Sequence, residues 1–297
     1  MPNTYVIFNP VAGTEDPDAL YNTLANRLAA QEGSYEIYQT TGEEHILEVV
    51  QRALQRGFDL FVASGGDGTV SAVASGLATT GTPLALLPTG TGNVLARELG
   101  IPLNLDAALD LITGEHAIRA IDTMKVDENH FILSISIGLS SLTMQDTERE
   151  EKRTLGLVAY LWTGLQKLLG FQPVGFDLTL DGEPTYRRAD EVAIANNGAL
   201  GMPAFRWGPE VTLDDGTLDV CFVDARNLLD YLSIAWNAFW GQQKHERRMH
   251  CLQAQQRVTV RADKALPVQA DGDIIGEESI EVKIAPQALN IIVPPED

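Results

Sequence analysis

Cysteine is scarce in this sequence, and basic residues are outnumbered by acidic ones. Its 297 residues include only two cysteines, Cys221 and Cys251, and neither stands in a metal-binding spacing such as C-x-x-C. Two such cysteines make no disulfide framework, so we expect a reducing, cytoplasmic environment. Lysine and arginine number 21 against 41 acidic residues, a formal charge of −20. This charge disfavours nucleic acid and simple electrostatic adhesion to an anionic membrane.

Long apolar segments are missing as well. The longest uncharged stretches, near 155–166 and 231–243, run about thirteen residues, fewer than the roughly 18 that span a bilayer. The segment MPNTYVIFNPVAG begins a strand within four positions and has no basic region followed by an apolar one, so no signal peptide is predicted. We expect a soluble protein, peripheral to a membrane at most. The length suffices for two domains.

The chain is organised around LFVASGGDGTVSAVASG at 60–76. An apolar strand and a helical run of small residues flank a loop that contains Gly65, Gly66 and Gly68. Glycines allow a backbone to turn sharply and to direct its N–H groups at a ligand, which is the geometry of a phosphate-binding loop at a helix N-terminus. A strand-to-helix turn without a ligand is the alternative. The P-loop pattern G-x-x-x-x-G-K-[ST] is absent and no lysine lies nearby, which disfavours a P-loop nucleotidase.

A second glycine-rich strand exit, LALLPTGTGNVLAREL at 84–99, follows about twenty residues later. The pairing of GGDGT with P-x-G-T-x-N resembles the diacylglycerol kinase catalytic family, which includes bacterial lipid kinases and sphingosine kinases. NAD kinases and phosphofructokinases share the GGDG element more distantly. The segment TGTGNVL also mimics a dinucleotide-binding fingerprint, but Leu95 stands where the third glycine belongs. A dehydrogenase is therefore the weaker alternative.

Strands and helices alternate up to residue 115, which predicts a parallel sheet whose loops at 9–13, 40, 64–69 and 88–93 line one crevice. After Asp122, short strands separated by Asp-Gly turns predict a β-sandwich or barrel. The expected fold class is α/β plus all-β, with helices inserted in the second part. We place an α/β nucleotide-binding domain at 1–124, joined by about 287–297, and a β-sandwich lipid-substrate domain at 125–286. The resemblance implies the return of the last strand, 289–293, to the first domain.

The resemblance also implies ATP as the phosphoryl donor and assigns its contacts to the loops of the first domain. The nucleotide-binding residues so implied are Asn9, Pro10, Gly13, Thr40, Gly65, Gly66, Asp67, Gly68, Thr69, Val70, Ser71, Ala72, Gly90, Thr91 and Asn93. Two of these positions depart from the family, which has asparagine and glutamate where this chain has Ser71 and Ala72. The loss of an acidic side chain at position 72 removes a nucleotide or magnesium contact, so a catalytically weak pseudokinase remains an alternative.

Phosphoryl transfer also needs a base near the attacking hydroxyl and a metal to offset charge. The segment PVQADGD at 267–273 resembles the family motif ending in D-G-E, whose first acid is the general base, and Asp271 holds that position. An ordinary hairpin turn is the alternative, and the glutamate of the motif is Asp273 here. The resemblance implies a structural magnesium on the loop 212–219, held by Asp215 and by the carbonyl groups of Thr212 and Thr217. Asp219 is an alternative ligand, and a solvated acidic turn is an alternative interpretation of the loop.

The acceptor that the resemblance implies is a hydroxyl of diacylglycerol or of a related lipid alcohol, with an NAD kinase-like enzyme as the alternative. Apolar stripes predict helices at 155–169 and 228–240, each beside a basic cluster. These stripes pack as core or meet lipid headgroups at the inner face of the membrane. Peripheral membrane contact and a homodimer both stay open.

Overall fold

The computed structural model describes residues 2–146, 172–198, 207, 211–225, 230, 233–234 and 248–295. The chain divides into two compact units: unit 1 is Met1–Thr123 with Ala285–Asp297, and unit 2 is Met124–Ile284. Unit 1 is an α/β domain and unit 2 is an antiparallel β domain, which confirms the predicted fold class. The helix predicted at 155–169 lies outside the described residues, as does most of the helix predicted at 228–240.

Unit 1 is built on a parallel sheet with the strand order β2-β1-β3-β4. Its elements are β1 (Thr4–Phe8), α1 (Pro17–Ala29), β2 (Tyr35–Gln39), α2 (Ile46–Gln55), β3 (Leu60–Gly65), α3 (Asp67–Leu77), β4 (Leu84–Pro88), α4 (Val94–Glu98), α5 (Leu105–Thr113) and β5 (Ala117–Val126), whose end enters unit 2. Every residue of β1 and β3 is buried, as is usual for central parallel strands covered on both faces. The strand order reverses between β1 and β3, and ligands of open α/β sheets bind at such a point.

The helices of unit 1 follow local signals in the sequence. Asp16 caps α1 by accepting a hydrogen bond from the Asp18 N–H at 3.1 Å, and Pro17 occupies the first turn, where its missing N–H is not needed. Along α1 the buried residues Leu20, Leu24 and Leu28 recur every four positions and form the apolar face of the helix.

Unit 2 has two antiparallel layers. The first is a six-stranded sheet with the order β12-β11-β10-β7-β14-β15, and the second contains β13, β8, β9 and the start of β16. The elements are β6 (Asn129–Phe131), β7 (Ser134–Gly138), α6 (Leu139–Asp146), β8 (Val174–Leu180), β9 (Glu183–Ala189), β10 (Glu191–Ala195), β11 (Leu218–Val223), β12 (Met249–Ala254), β13 (Arg257–Ala262), β14 (Pro267–Ala270), β15 (Asp273–Glu277) and β16 (Ser279–Val293).

One core fills the space between these layers. The core includes Ile135 and Ile137 of β7 and Val268 and Ala270 of β14. Because side chains alternate along a strand, the residues between them, such as Ser136, lie on the opposite face of the sheet. That opposite face is called the outer face below.

The last strand differs from its predicted bounds. The strand predicted at 289–293 is the end of a longer strand, β16, which begins at Ser279. The first part of β16 pairs with β13 in unit 2, and Ile291 pairs in parallel with Leu84 of β4 in unit 1. Also in unit 1, the Gln287 N–H donates to the Asp122 carboxylate at 2.7 Å. Among the helices that the structure describes, none is both long and apolar enough to cross a membrane.

The two cysteines correct an expectation from the sequence. Cys221 and Cys251 form a disulfide, although no disulfide was predicted from two cysteines 30 residues apart. The register of β11 and β12 explains the pairing, because it places these residues directly opposite each other, with their Cα atoms 4.0 Å apart. Sequence spacing alone does not reveal such a register.

Candidate active site

The loops that leave β1 and β3 in unit 1 are joined by Asn9. Its main-chain N–H donates to the Ser64 carbonyl at 2.9 Å, and its side-chain amide donates to the Thr69 hydroxyl at 3.0 Å. Its side-chain oxygen accepts from the Val11 N–H at 3.1 Å and so forms the turn that follows β1. Asn9 therefore fixes the Asn-Pro turn against the GGDGT loop.

The glycines of the three loops allow backbone to pack directly on backbone. A Cβ atom on Gly90 would lie 2.5 Å from the Gly66 Cα, and one on Gly13 would overlap the Thr89 carbonyl oxygen. Gly13 also has a φ of +79°, a value that L-residues rarely adopt. Side chains at these positions would force the loops apart. The structure thus brings together the loops after β1, β3 and β4.

Asp67 of the GGDGT loop organises the next glycine-rich loop. Its carboxylate accepts from the Val94 N–H at 2.6 Å at the start of α4, where Asn93 adopts a left-handed φ of 49°. The Asn93 side chain donates to the Gly90 carbonyl at 2.7 Å. Burial raises the pKa of the Asp67 carboxyl, and the main-chain hydrogen bonds from the start of α4 oppose that rise. In unit 1, Asp67 therefore caps α4.

Two residues next to the motif glycines carry buried hydroxyl groups. In the part of the chain that the structure describes, neither the Ser64 Oγ atom nor the Thr89 Oγ1 atom has a hydrogen-bond partner. Ser64 follows the apolar run 60–63 in β3, and Thr89 lies between Pro88 and Gly90. A buried hydroxyl without a partner carries a free-energy cost that a ligand oxygen would remove. Together with the glycine contacts, these hydroxyls fit phosphate oxygens. The sequence motifs did not indicate them, although both residues adjoin motif glycines.

The remaining residues predicted to bind the nucleotide follow β1, β2, β3 and β4 along the chain. Thr40 follows β2, and its N–H donates to the Phe8 carbonyl at 2.9 Å. The next residues are held by Glu44, whose pKa is lowered to about 2, chiefly by the hydrogen bond from the Thr41 main chain. Gly68 and Thr91 are exposed, and Pro10 and Ala72 are half-buried. Val70 and Ser71 lie in the first turns of α3 with side chains only 6% and 8% exposed.

In unit 2, Asp271 is the first residue of a two-residue hairpin turn between β14 and β15. Asp271 and Gly272 both have positive φ, at 47° and 97°, as a type I′ turn requires. The Asp271 carboxylate accepts hydrogen bonds from three consecutive main-chain N–H groups, at 2.9 to 3.1 Å. The donors are Ile132, Leu133 and Ser134. These bonds fix the orientation of the carboxylate at the start of β7.

A second Asp-Gly turn in unit 2 has the same construction. Asp181 and Gly182 connect β8 and β9 with φ values of 50° and 96°. The Asp181 carboxylate also accepts from three consecutive main-chain N–H groups, those of Gln255, Gln256 and Arg257. Hydrogen bonds from the Gln255 and Arg257 main chain lower the pKa of Asp181. The turn geometry alone therefore does not distinguish a catalytic aspartate from a structural one.

A buried carboxylate, Glu191, lies near the start of α6. It accepts from the Ser140 N–H at 2.9 Å and from the Ser140 hydroxyl, which is itself 2.8 Å from the Ser136 hydroxyl. Burial raises the pKa of Glu191, and its hydrogen bonds from Ser140 and Ser136 oppose that rise. No sequence motif points to this residue.

The loop before β11 brings together the three residues predicted to hold magnesium. Asp215 Oδ1 accepts from the Thr217 N–H at 2.9 Å and from its hydroxyl at 2.8 Å, and Asp215 Oδ2 accepts from the Thr212 hydroxyl at 3.1 Å. Within the described ranges, no three acidic, histidine or cysteine side chains cluster as a metal site. A single carboxylate with carbonyl and water ligands is nevertheless a normal donor set for magnesium. Asp219 is buried at the start of β11, where it accepts from Gln253 at 3.2 Å.

Sequence profiles and known relatives agree with this architecture. The profile of the diacylglycerol kinase catalytic domain matches residues 3–126, and that of the YegS C-terminal NAD kinase beta sandwich-like domain matches residues 133–293. A Bacillus subtilis (strain 168) protein named diacylglycerol kinase is 28% identical over 100% of this chain and 98% of its own length. A Pseudomonas aeruginosa (strain UCBPP-PA14) protein named "Probable lipid kinase YegS-like" is 30% identical over 97% of this chain and 93% of its own.

A solved structure extends the likeness to three dimensions. The crystal structure of a diacylglycerol kinase from Bacillus anthracis str. Sterne superposes with a TM-score of 0.81 at 26% identity, covering 99% of this chain and 98% of that one. The resemblance inferred from GGDGT and P-x-G-T-x-N is thereby confirmed. The chain belongs to the diacylglycerol kinase family of lipid kinases.

Proposed function

We propose that this lipid kinase transfers the γ-phosphoryl group of ATP to a hydroxyl of diacylglycerol or of a related lipid alcohol. The observation that carries the proposal is the close packing of the glycine-rich loops in unit 1, beside which Ser64 and Thr89 each carry a buried hydroxyl that has no partner in the described part of the chain. Such a cluster suits the phosphate chain of a nucleotide. The match of both units to lipid kinase relatives supports the acceptor.

Unit 1 would bind the phosphates mainly through its backbone. The N-cap residue of α3 is Gly66, which has no side chain to cap the helix, so a phosphate can satisfy first-turn N–H groups there. The Ser64 and Thr89 hydroxyls would donate to phosphate oxygens from the adjoining strand ends. Because the sheet holds these donors in place, they would need to move little as negative charge develops during phosphoryl transfer.

Asp271 would act as the general base in unit 2. An ionised carboxylate accepts the proton of the attacking hydroxyl as the new oxygen–phosphorus bond forms. Three consecutive main-chain N–H groups orient it at the start of β7. The proton remains on the carboxyl until it exchanges with solvent, and ADP leaves with the electrons of the broken bond.

Magnesium, if bound at the loop before β11, would be held by Asp215 Oδ2 with the carbonyls of Thr212 and Thr217. It would supply positive charge that stabilises this acidic loop. Asp215 itself orders the loop through its hydrogen bonds to both threonines.

The experiment is incubation of the purified protein with magnesium and labelled ATP, using diacylglycerol, other lipid alcohols and NAD as separate acceptors. We expect label in one or more lipids and none in NAD. Unit 2 matches a domain described as NAD kinase beta sandwich-like, so NAD is the most informative competing acceptor. Label in NAD alone would reassign the enzyme, and nucleotide binding without any transfer would favour the pseudokinase that Ser71 and Ala72 suggest.

A further inference from the structure

Gln269 presents a buried acceptor close to the proposed base. It lies in β14, two residues and about 7 Å before Asp271. Its neighbours Val268 and Ala270 point into the core of unit 2, so Gln269 points to the outer face of the sheet. The Gln269 Oε1 atom is buried, and no residue in the described part of the chain donates a hydrogen bond to it.

The serine hydroxyls on the same face as Gln269 already donate their hydrogens to other groups. Gln269 pairs with Ser136 across β14 and β7, so their side chains share the outer face. The Ser140 hydroxyl donates its single hydrogen to Glu191, and the Ser136 hydroxyl hydrogen-bonds to Ser140 and to Glu191. A serine hydroxyl has only one hydrogen to donate, so neither serine supplies the donor that Gln269 lacks.

We infer that Gln269 is a specificity-determining residue that accepts a hydrogen bond from a second donor on the lipid headgroup, near the hydroxyl that is phosphorylated. This inference rests on the proposed function, because it assumes that the acceptor hydroxyl lies at Asp271. A diacylglycerol has a single O–H group, the reacting one, and its other headgroup oxygens are acceptors. The preferred acceptor is therefore a lipid with a further hydroxyl or an amine a few bonds away.

The unpaired acceptor sets how strongly the enzyme should prefer a lipid with two donors over diacylglycerol. A site built to hydrogen-bond a substrate donor discriminates against an analogue that lacks it, because the buried oxygen then stays unpaired. We expect kcat/KM for the two-donor lipid to exceed that for diacylglycerol by about tenfold or more. Replacing Gln269 by leucine removes the acceptor, and the preference falls to near unity.

The test measures kcat/KM in mixed micelles for a diacylglycerol, a monoacylglycerol and a long-chain amino alcohol of matched chain length. The enzymes are the wild type, Gln269→Leu, Gln269→Met as a second isosteric variant, and Gln256→Leu as a control at an exposed glutamine of the same unit. The two lipids with a second donor separate a hydroxyl from an amine as its source. Thermal unfolding of each variant is measured alongside, and because the Gln269 acceptor has no internal partner we expect no loss of stability.

Three outcomes overturn the inference. One is a wild type that does not discriminate between one-donor and two-donor lipids. Another is a preference that survives in both Gln269 variants, which would leave the proposed function intact and reject only the role of Gln269. The third is the absence of transfer to every lipid, which rejects the proposed function and this inference together. A preference lost in the Gln269 variants and kept in Gln256→Leu supports it.

Discussion

The conversion of Asp271 to asparagine separates a catalytic aspartate from a structural one. The variant keeps the size of the side chain, and asparagine tolerates the left-handed φ of 47° at this turn position. It removes the negative charge and therefore the ability to take a proton. Asp181→Asn is a matched control, because Asp181 occupies the same kind of turn and binds three consecutive N–H groups in the same way.

The hydrogen bonds give the expected cost to stability. In Asp271→Asn, the remaining oxygen can still accept from Leu133 and Ser134, while the new NH₂ group faces the Ile132 N–H, a donor against a donor. One hydrogen bond to a charged group is lost, so the free energy of unfolding should fall by about 1–3 kcal/mol. The loss in Asp181→Asn should be no larger, because its turn is exposed.

Activity should separate the two variants far more than stability does. Loss of a general base typically lowers the rate by about 10²–10⁴-fold, so Asp271→Asn should lose at least that much of kcat and keep its affinity for ATP. Asp181→Asn should keep nearly all of its kcat. The assays are steady-state transfer from labelled ATP to lipid, calorimetric ATP binding and urea unfolding, all on the same preparations.

Two results would refute this reasoning. If Asp271→Asn kept a near-normal kcat, another group would be the base. If both variants lost activity to the same extent, the loss would come from the hairpin turns, and Asp271 would be no more than a support for the start of β7.

Three further predictions concern the other features of the two units. Gly90→Ala should weaken ATP binding about tenfold or more, since its Cβ would meet the Gly66 backbone, whereas Gly276→Ala, which has open space around it, should bind ATP normally in the same titration. Because burial raises the pKa of Glu191 above about 4.5, its contribution to stability is full below that pH and is lost as the pH rises through the raised value. Urea unfolding of Glu191→Gln at several pH values should therefore show a weaker decline above pH 4.5 than the wild type. Magnesium should raise the Tm of the wild type and of Asp214→Asn but not that of Asp215→Asn. The reverse result would make Asp214 the metal ligand instead of Asp215.

The sequence predicted the elements whose physical cause is local. The apolar strand 60–63 and the glycines that follow it determine β3 and the start of α3, and the same logic applied to β4. The alternation of strands and helices was enough to predict a parallel sheet in unit 1, because parallel strands require crossover helices. The Asp-Gly pairs predicted hairpin turns in unit 2, because these residues suit the positive φ values of a type I′ turn.

Features that depend on register or burial could not be predicted in the same way. The Cys221–Cys251 disulfide follows from the alignment of β11 with β12, which no local pattern encodes. The anchoring of Asp271 by residues about 140 positions away requires the folded sheet, as does the unpaired oxygen of Gln269. The role of Asp67 as a cap on α4 likewise links two motifs that the sequence presents separately.

The most direct measurement of the central claim follows the phosphoryl group itself. The protein is incubated with a total lipid extract, NAD and ATP whose γ-phosphoryl oxygens carry a heavy isotope, and the products are identified by mass spectrometry. We expect the labelled phosphoryl group on a lipid hydroxyl with the wild type and not with Asp271→Asn. Labelled phosphate found only on NAD, or only as free inorganic phosphate, would contradict it.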